Sequence, residues 1–124
     1  MKKSFLKYQL KYWLPVYLYL LLIFYLSSKS SVEAGSLLSQ KLYIISPVQH
    51  IILYAGLALL LFRAISHIKN SNFLVIFSTT LYGFIDEIHQ HFVPGRFFQL
   101  SDIFMDLLGA VLALILIKLL LKRR

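Results

Sequence analysis

Residue types used in acid–base chemistry and metal binding crowd into one stretch of the chain, LYGFIDEIHQHFVPGR, residues 81 to 96. Asp86, His89 and Gln90 stand three and four positions apart, so they share one face of a helix, while Glu87 is turned by about 100° toward the next face. A carboxylate beside an imidazole is a common acid–base pair, and both groups bind metal ions. The same groups also link helices through hydrogen bonds. The stretch therefore predicts either a functional site or a polar helix contact.

Two further segments place polar residues at helical spacing. In one, His50 and Tyr54 stand four positions apart. The other is a stripe that is polar at one end and small further along: Asp102, Asp106, Gly109 and Ala113. Small residues let membrane helices pack closely, and ionisable residues at membrane depth face one another because lipid does not solvate them.

We predict that three helices bring these residues together in one polar pocket. Its members are His50, Tyr54, Asp86, Glu87, His89, Gln90, Arg96, Asp102 and Asp106. Arg96 follows a Pro-Gly turn, where its guanidinium can pair a carboxylate or bind an anion. Purely structural roles stay open for the same residues. His50 can form a hydrogen bond with a carbonyl or with Asp86, and Asp102 can interact favourably with the N-terminal dipole of its helix. The whole set can also serve only to link helices through hydrogen bonds.

The elements that position these residues are predicted to lie in a membrane. Of the 124 residues, 59% are hydrophobic, and the mean hydropathy is +0.74, far above that of a soluble domain of this length. Apolar runs long enough to cross a bilayer lie at about residues 8–28, 48–65, 73–89 and 103–121. We predict an all-α membrane protein with four transmembrane helices.

Local signals suggest where the helices start. Ser46 followed by Pro47 is typical of a cap and a first-turn proline, so the second span is predicted to begin there. A separate, short interfacial helix is expected around residues 37–45. Ser101 is the candidate cap of the fourth span.

The basic residues predict the orientation. Ten of the 13 lysines and arginines lie in the N-terminal segment, the connection after the second span and the C-terminal segment. The positive-inside rule then places both termini in the cytoplasm and the polar pocket on the outer side of the bacterial cytoplasmic membrane. The basic start resembles a signal peptide without a cleavage site, so we expect a retained signal anchor.

Composition and motifs exclude several classes of function. The chain has no cysteine, which excludes disulfides and thiolate chemistry. The net charge is +8, and the basic residues lie beside apolar runs. Membrane lipids are therefore the expected partner, and nucleic acid is not. No metal-ligand spacing, nucleophile motif or glycine-rich phosphate loop occurs, so no metal is predicted and no cofactor can be assigned.

The chain resembles the VanZ-like family of small bacterial membrane proteins over nearly its whole length, as a single domain of residues 1–124. The resemblance is carried in order by IFYLSS (23–28), HIILYAGLALLL (50–61), LYGFIDEIHQHFVPGR (81–96) and SDIFMDLLGA (101–110). It implies a cell-envelope protein of several helices, linked in the founding case to teicoplanin resistance, and it supplies no mechanism. Family members usually have Asn where Asp106 stands and often Lys where Pro47 stands; Asp106 makes the pocket more acidic.

The sequence is compatible with three functions. The preferred one is non-enzymatic binding of a lipid-linked cell-wall intermediate, a phospholipid headgroup or a lipoglycopeptide, with Arg96 on the anionic group and Asp86, His89 and Gln90 on polar groups. The second is an intramembrane enzyme that uses Asp86 with His89 or His50 as acid and base, or with Asp102 as metal ligands. The third is a proton-coupled lipid transporter, for which four spans would need to form a homo-oligomer.

Overall fold

The computed structural model describes residues 2–29 and 36–123, with side chains outside 36–46. These residues form helices α1 (Lys2–Tyr8), α2 (Leu14–Ser27), α3 (Ser36–Ile65), α4 (Ser71–His91) and α5 (Leu100–Lys122), with a π-helical segment, Gln9–Trp13, joining α1 to α2. The described residues contain no strand. The prediction of an all-helical chain is confirmed.

Among the described residues, three helical segments are long and apolar enough to cross a membrane: Lys2–Ser27, Pro47–Ile65 and Leu100–Lys122. They match the first, second and fourth predicted spans. Helix α4 covers the third predicted span and has 21 residues, so it has the length to cross. It is less apolar than the other three, because its last turns carry Asp86, Glu87 and several uncharged polar residues.

The π segment has a local cause in Pro15. A proline has no N–H, and its ring would clash with the carbonyl oxygen four residues earlier in a regular α-helix. Here the N–H of Leu14 donates to the carbonyl of Gln9, five residues back, and this wider turn precedes the proline. The helix therefore passes Pro15 without a break.

The prediction that a new helix begins at Ser46 and Pro47 was wrong. Helix α3 starts at Ser36 and runs through Pro47 to Ile65, so the expected short helix at 37–45 is its first part. A proline removes one backbone hydrogen bond, but a continuous helix still satisfies the remaining backbone groups in apolar surroundings.

The predicted cap of the last helix also differs. Helix α5 begins at Leu100 after Gln99, which has extended backbone and no side-chain capping bond, so Ser101 lies inside the first turn. Asp102 shares that first turn, where a carboxylate interacts favourably with the helix dipole.

Helix α3 is the centre of the bundle and packs most extensively against α5. A methyl group added at Gly109 of α5 would lie 2.5 Å from the carbonyl oxygen of Ile51 in α3, so the two backbones are in contact at this level. The predicted polar and small stripe of α5 is buried along its length. Large apolar side chains cover the outer surface instead, for example Leu21, Phe77 and Leu119, as expected for a bundle solvated by lipid.

Candidate functional site

Asp86 is the centre of a buried hydrogen-bond network between three helices. Its Oδ2 accepts from Ser27 Oγ of α2 at 2.6 Å, from Gln90 Nε2 one turn further along α4 at 2.9 Å, and from the hydroxyl of Tyr54 in α3 at 3.2 Å. Gln90 Nε2 also lies 3.4 Å from Ser27 Oγ. All three donors converge on one carboxylate oxygen. The other, Oδ1, is buried and has no partner among the described residues.

His50 belongs to a second network, with α5. Its Nδ1 lies 2.7 Å from Asp106 Oδ1, and its Nε2 lies 3.5 Å from Asp102 Oδ2. The imidazole is parallel to the ring of Tyr54, with a centroid separation of 6.0 Å. Tyr54 thus joins the two networks, since its ring lies beside His50 and its hydroxyl bonds Asp86.

The geometry shows why a glycine stands at position 83. A side chain there would collide with the carboxyl group of Asp106 across the contact between α4 and α5. Gly83 is itself buried. The absence of a side chain therefore makes room for Asp106 inside the bundle.

Glu87 has a separate role at the end of α4. Although it is turned away from the face of Asp86, it is fully buried, and its Oε1 accepts the backbone N–H of Gln99 at 2.6 Å. Gln99 precedes the first residue of α5. This bond therefore fastens the α4–α5 connection to the bundle, while Glu87 Oε2 has no partner in the described part of the chain.

His89 lies apart from both networks. Its ring is half-buried and stacks on Phe24 of α2 with a centroid separation of 4.4 Å, and its Nδ1 has no described hydrogen-bond partner. Although His89 is three residues from Asp86, the structure places it at the edge of the α2–α4 contact.

A small pocket opens beside the Asp86 network. Its volume is about 70 Å³, and its lining combines the apolar Ile23, Leu26 and Leu53 with Ser27, Gln49, His50, Tyr54, Asp86, Gln90 and Arg96. Arg96, partly exposed on the connection between α4 and α5, forms no ion pair with any carboxylate among the described side chains. The pocket is well below the 300–1,000 Å³ of a typical drug-sized site. It can hold a small polar group or the tip of a larger ligand.

The electrostatic balance of the site is strongly acidic. Asp86, Glu87, Asp102 and Asp106 are exposed by only 4%, 0%, 5% and 0%, and His50 is the only basic side chain in contact with any of them in the described structure. In apolar surroundings each of these buried carboxyl groups has to be compensated by hydrogen bonds or by a positive charge. No three His, Asp or Glu side chains among the described residues have an arrangement that could hold a metal ion.

Of the predicted set, the structure thus joins Tyr54, Asp86 and Gln90 in one network and His50, Asp102 and Asp106 in another. His50 bonds Asp106 and not Asp86, which was one of its predicted alternatives. Ser27 was missed as a site residue because a serine at the end of an apolar run is usually unremarkable in a sequence. Its only signal was its place in the IFYLSS segment.

Ser27 also gives a matched test of the network. We expect Ser27→Ala to lower the free energy of unfolding by about 1 kcal/mol, because it removes one interhelical hydrogen bond to Asp86. Ser28→Ala is the control, since the Ser28 hydroxyl is exposed and bonds the carbonyl of Phe24 in its own helix. Equilibrium unfolding in detergent measures both, and equal effects of the two changes would contradict the network.

A protein-family model matches almost the whole chain. The VanZ/LLP1 family model matches residues 4–121. The chain belongs to the VanZ/LLP1 family. The predicted VanZ-like resemblance is thereby confirmed, and the apolar helices agree with an integral membrane protein of the VanZ type. Neither the curated proteins nor the solved structures include a match to this VanZ-type chain.

Proposed function

We propose that this VanZ-type protein spans the bacterial cytoplasmic membrane four times, with both termini inside, and binds the headgroup of a lipid-linked cell-wall intermediate in its outward-facing pocket. Lipoglycopeptides such as teicoplanin are a second ligand of suitable chemistry, which would connect binding to resistance. The observation that carries the proposal is a small pocket lined both by Asp86, a buried carboxyl group with one oxygen unpartnered among the described residues, and by the partly exposed Arg96.

The pocket offers complementary contacts to such a headgroup. The Asp86 carboxylate can accept a hydrogen bond from a hydroxyl, amide or ammonium group that enters the pocket, and Arg96 can hold a phosphate or a carboxylate. Because the pocket is small, the rest of the ligand would lie outside it, with acyl or prenyl chains along the apolar helix surfaces. This arrangement separates the anionic part of the ligand from the buried carboxylates.

The packing of α4 supports a fourth span. Tyr82 donates to the carbonyl of Leu20 at 2.7 Å, and two turns further along α4 Gln90 reaches Ser27. Helix α4 therefore lies beside α2 over about two turns and is expected to cross the membrane with it. Its polar face is buried in the bundle, and Phe77, Phe84 and Ile88 are exposed on its outer surface.

The hydrogen-bond partners of Ser27 and His50 favour binding over nucleophilic catalysis by the serine. The Ser27 hydroxyl bonds Asp86, whereas the His50 imidazole bonds Asp106, so serine and histidine do not form a nucleophile–base pair. The His50–Asp106 pair does favour a second candidate, proton-coupled movement of the same lipid, because the pair could carry a proton at membrane depth.

Native mass spectrometry of the protein released gently from its own membranes tests the binding proposal. We expect a lipid intermediate to co-purify with the wild type and to be reduced at least about tenfold in Asp86→Asn and Arg96→Gln, since each removes a charge-assisted contact. Lys29→Gln is the control. Lys29 is exposed at the same end of the bundle, and its ammonium lies 4.8 Å from the ring centre of Tyr25.

The outcomes separate binding at the pocket from a purely structural role of its residues. Retention of the lipid by both pocket variants, or its equal loss in Lys29→Gln, would contradict binding at this pocket. If Asp86→Asn loses the lipid only when folded protein is also lost, Asp86 acts through stability. Arg96→Gln then tests binding by itself, because Arg96 is outside both networks. A wild-type protein that carries only bulk lipid would also overturn the proposal.

A further inference from the structure

At the end of the bundle opposite the carboxylates, two cations converge on one aromatic ring. Lys11 Nζ lies 5.1 Å from the ring centre of Tyr12, and the guanidinium carbon of Arg63 lies 5.3 Å from the same centre. Lys11 belongs to the π segment before α2, whereas Arg63 is in the last turn of α3. Two cations from different helical segments therefore lie against the same aromatic ring.

Neighbouring contacts fix this arrangement across the two helices. The hydroxyl of Tyr8 donates to the carbonyl oxygen of Ala64, next to Arg63. The Tyr8 ring lies 5.0 Å from the Tyr12 ring and 5.9 Å, edge to face, from His67. Tyr12 is thus held between α3 and its own helix, while Lys11 and Arg63 remain exposed.

The two cations have no described acidic neighbour. Four of the five acidic residues lie at the other end of the bundle, and the fifth, Glu33, is outside the described residues. The ion pairs within the described structure involve His50 alone among basic side chains. The cation–π contacts offset part of the repulsion between the like charges and do not neutralise either one. An anion that pairs with them would therefore come from outside the described structure.

We propose that Lys11 and Arg63, held on the ring of Tyr12, bind the phosphate of an anionic phospholipid. A guanidinium can contact two phosphate oxygens and an ammonium can contact a third. Lys11 and Arg63 lie near the ends of the predicted spans 8–28 and 48–65, so their long side chains can reach the depth of lipid headgroups. This site is separate from the outward pocket and takes a bulk lipid, not a cell-wall intermediate.

The only tryptophan of the chain, Trp13, follows Tyr12 directly and provides a local probe. The full chain is reconstituted in phosphatidylcholine vesicles that contain equal minor fractions of brominated phosphatidylglycerol or brominated phosphatidylcholine. Bromine quenches tryptophan fluorescence at short range. We expect about twofold stronger quenching by the anionic lipid, because each cation near the surface enriches such lipids several-fold.

Matched variants assign the effect to these two residues. Lys11→Gln with Arg63→Gln should make the two lipids quench equally, whereas Lys11→Arg with Arg63→Lys should keep the preference. Lys118→Gln with Lys122→Gln removes the same charge from the C-terminal end of α5 and should keep it too. Equal quenching in the wild type, or equal loss in the Lys118 and Lys122 variant, would overturn the site. Loss of the preference on adding sodium phosphate, but not on adding sodium chloride to the same ionic strength, would show that a soluble anion is the ligand and would also overturn it.

Discussion

Replacing His50 with leucine is expected to lower the free energy of unfolding by about 3–5 kcal/mol, the cost of removing one partner from a buried charged group. The change leaves the carboxyl groups of Asp106 and Asp102 without the imidazole that lies 2.7 Å and 3.5 Å away. Both carboxyl groups are buried, so water cannot replace it. Reversible denaturation of the full chain in detergent micelles measures the loss.

A double-mutant cycle isolates the pair from its surroundings. Asp106→Asn, the residue that the VanZ-like resemblance usually has here, should cost less than His50→Leu because an amide can still bond the imidazole. In the double variant the two costs should not add, and we expect a coupling of about 1–3 kcal/mol. His67→Leu is the control, since His67 is exposed at the other end of the bundle. Equal stability of the two histidine variants, or additive costs in the cycle, would contradict a paired His50.

Gly109→Ala is expected to destabilise the bundle by about 1–3 kcal/mol, as overpacking of a tight helix contact does. The added methyl group would lie 2.5 Å from the carbonyl oxygen of Ile51 and 3.0 Å from the amide nitrogen of Ala55. Both atoms belong to the backbone of α3, so only a shift of one helix relative to the other relieves the clash. Thermal unfolding in the same detergent measures the effect.

Gly56→Ala is the matched control for the close contact. Its methyl group would meet the end of the Tyr19 side chain, which can rotate and lose only its bond to the carbonyl of Leu53. We therefore expect a smaller loss, of about 1 kcal/mol or less. If the Gly109 variant is as stable as the Gly56 variant, the backbones of α3 and α5 are farther apart at Gly109 than the 2.5 Å contact with Ile51 requires.

Long apolar runs made the positions of the helices predictable. The path of the backbone at the prolines within these helices was harder to predict. Apolar runs located the four long helices among the described residues, three of which are long and apolar enough to cross a membrane. The path through Pro47 was not predictable, since Ser46 and Pro47 satisfy the local pattern of a helix start. The π turn before Pro15 was not predictable either, because it depends on backbone geometry that residue types do not specify.

For the candidate site, the sequence indicated which residues are polar at membrane depth but not which ones meet. Helical spacing correctly grouped Asp86 with Gln90 and placed Glu87 on another face. The same spacing grouped His89 with them, although its ring instead stacks on Phe24. Pairings such as His50 with Asp106 depend on the relative height and rotation of two helices. Those quantities follow from tertiary packing, including the glycines that let the backbones approach.

The bond from Glu87 to the backbone of Gln99 has a consequence for how the chain enters the membrane. Helix α4 is the least apolar of the long helices and carries two carboxyl groups, so its transfer into lipid alone would be unfavourable. The Glu87 bond and the fit of Asp106 against Gly83 join it to α5, whose segment Leu100–Lys122 is strongly apolar. Entering as a hairpin, the two helices would shield these carboxyl groups from lipid from the start, and α5 would provide the apolar surface that α4 lacks. Insertion of α4 would thus depend on a helix that is synthesised after it.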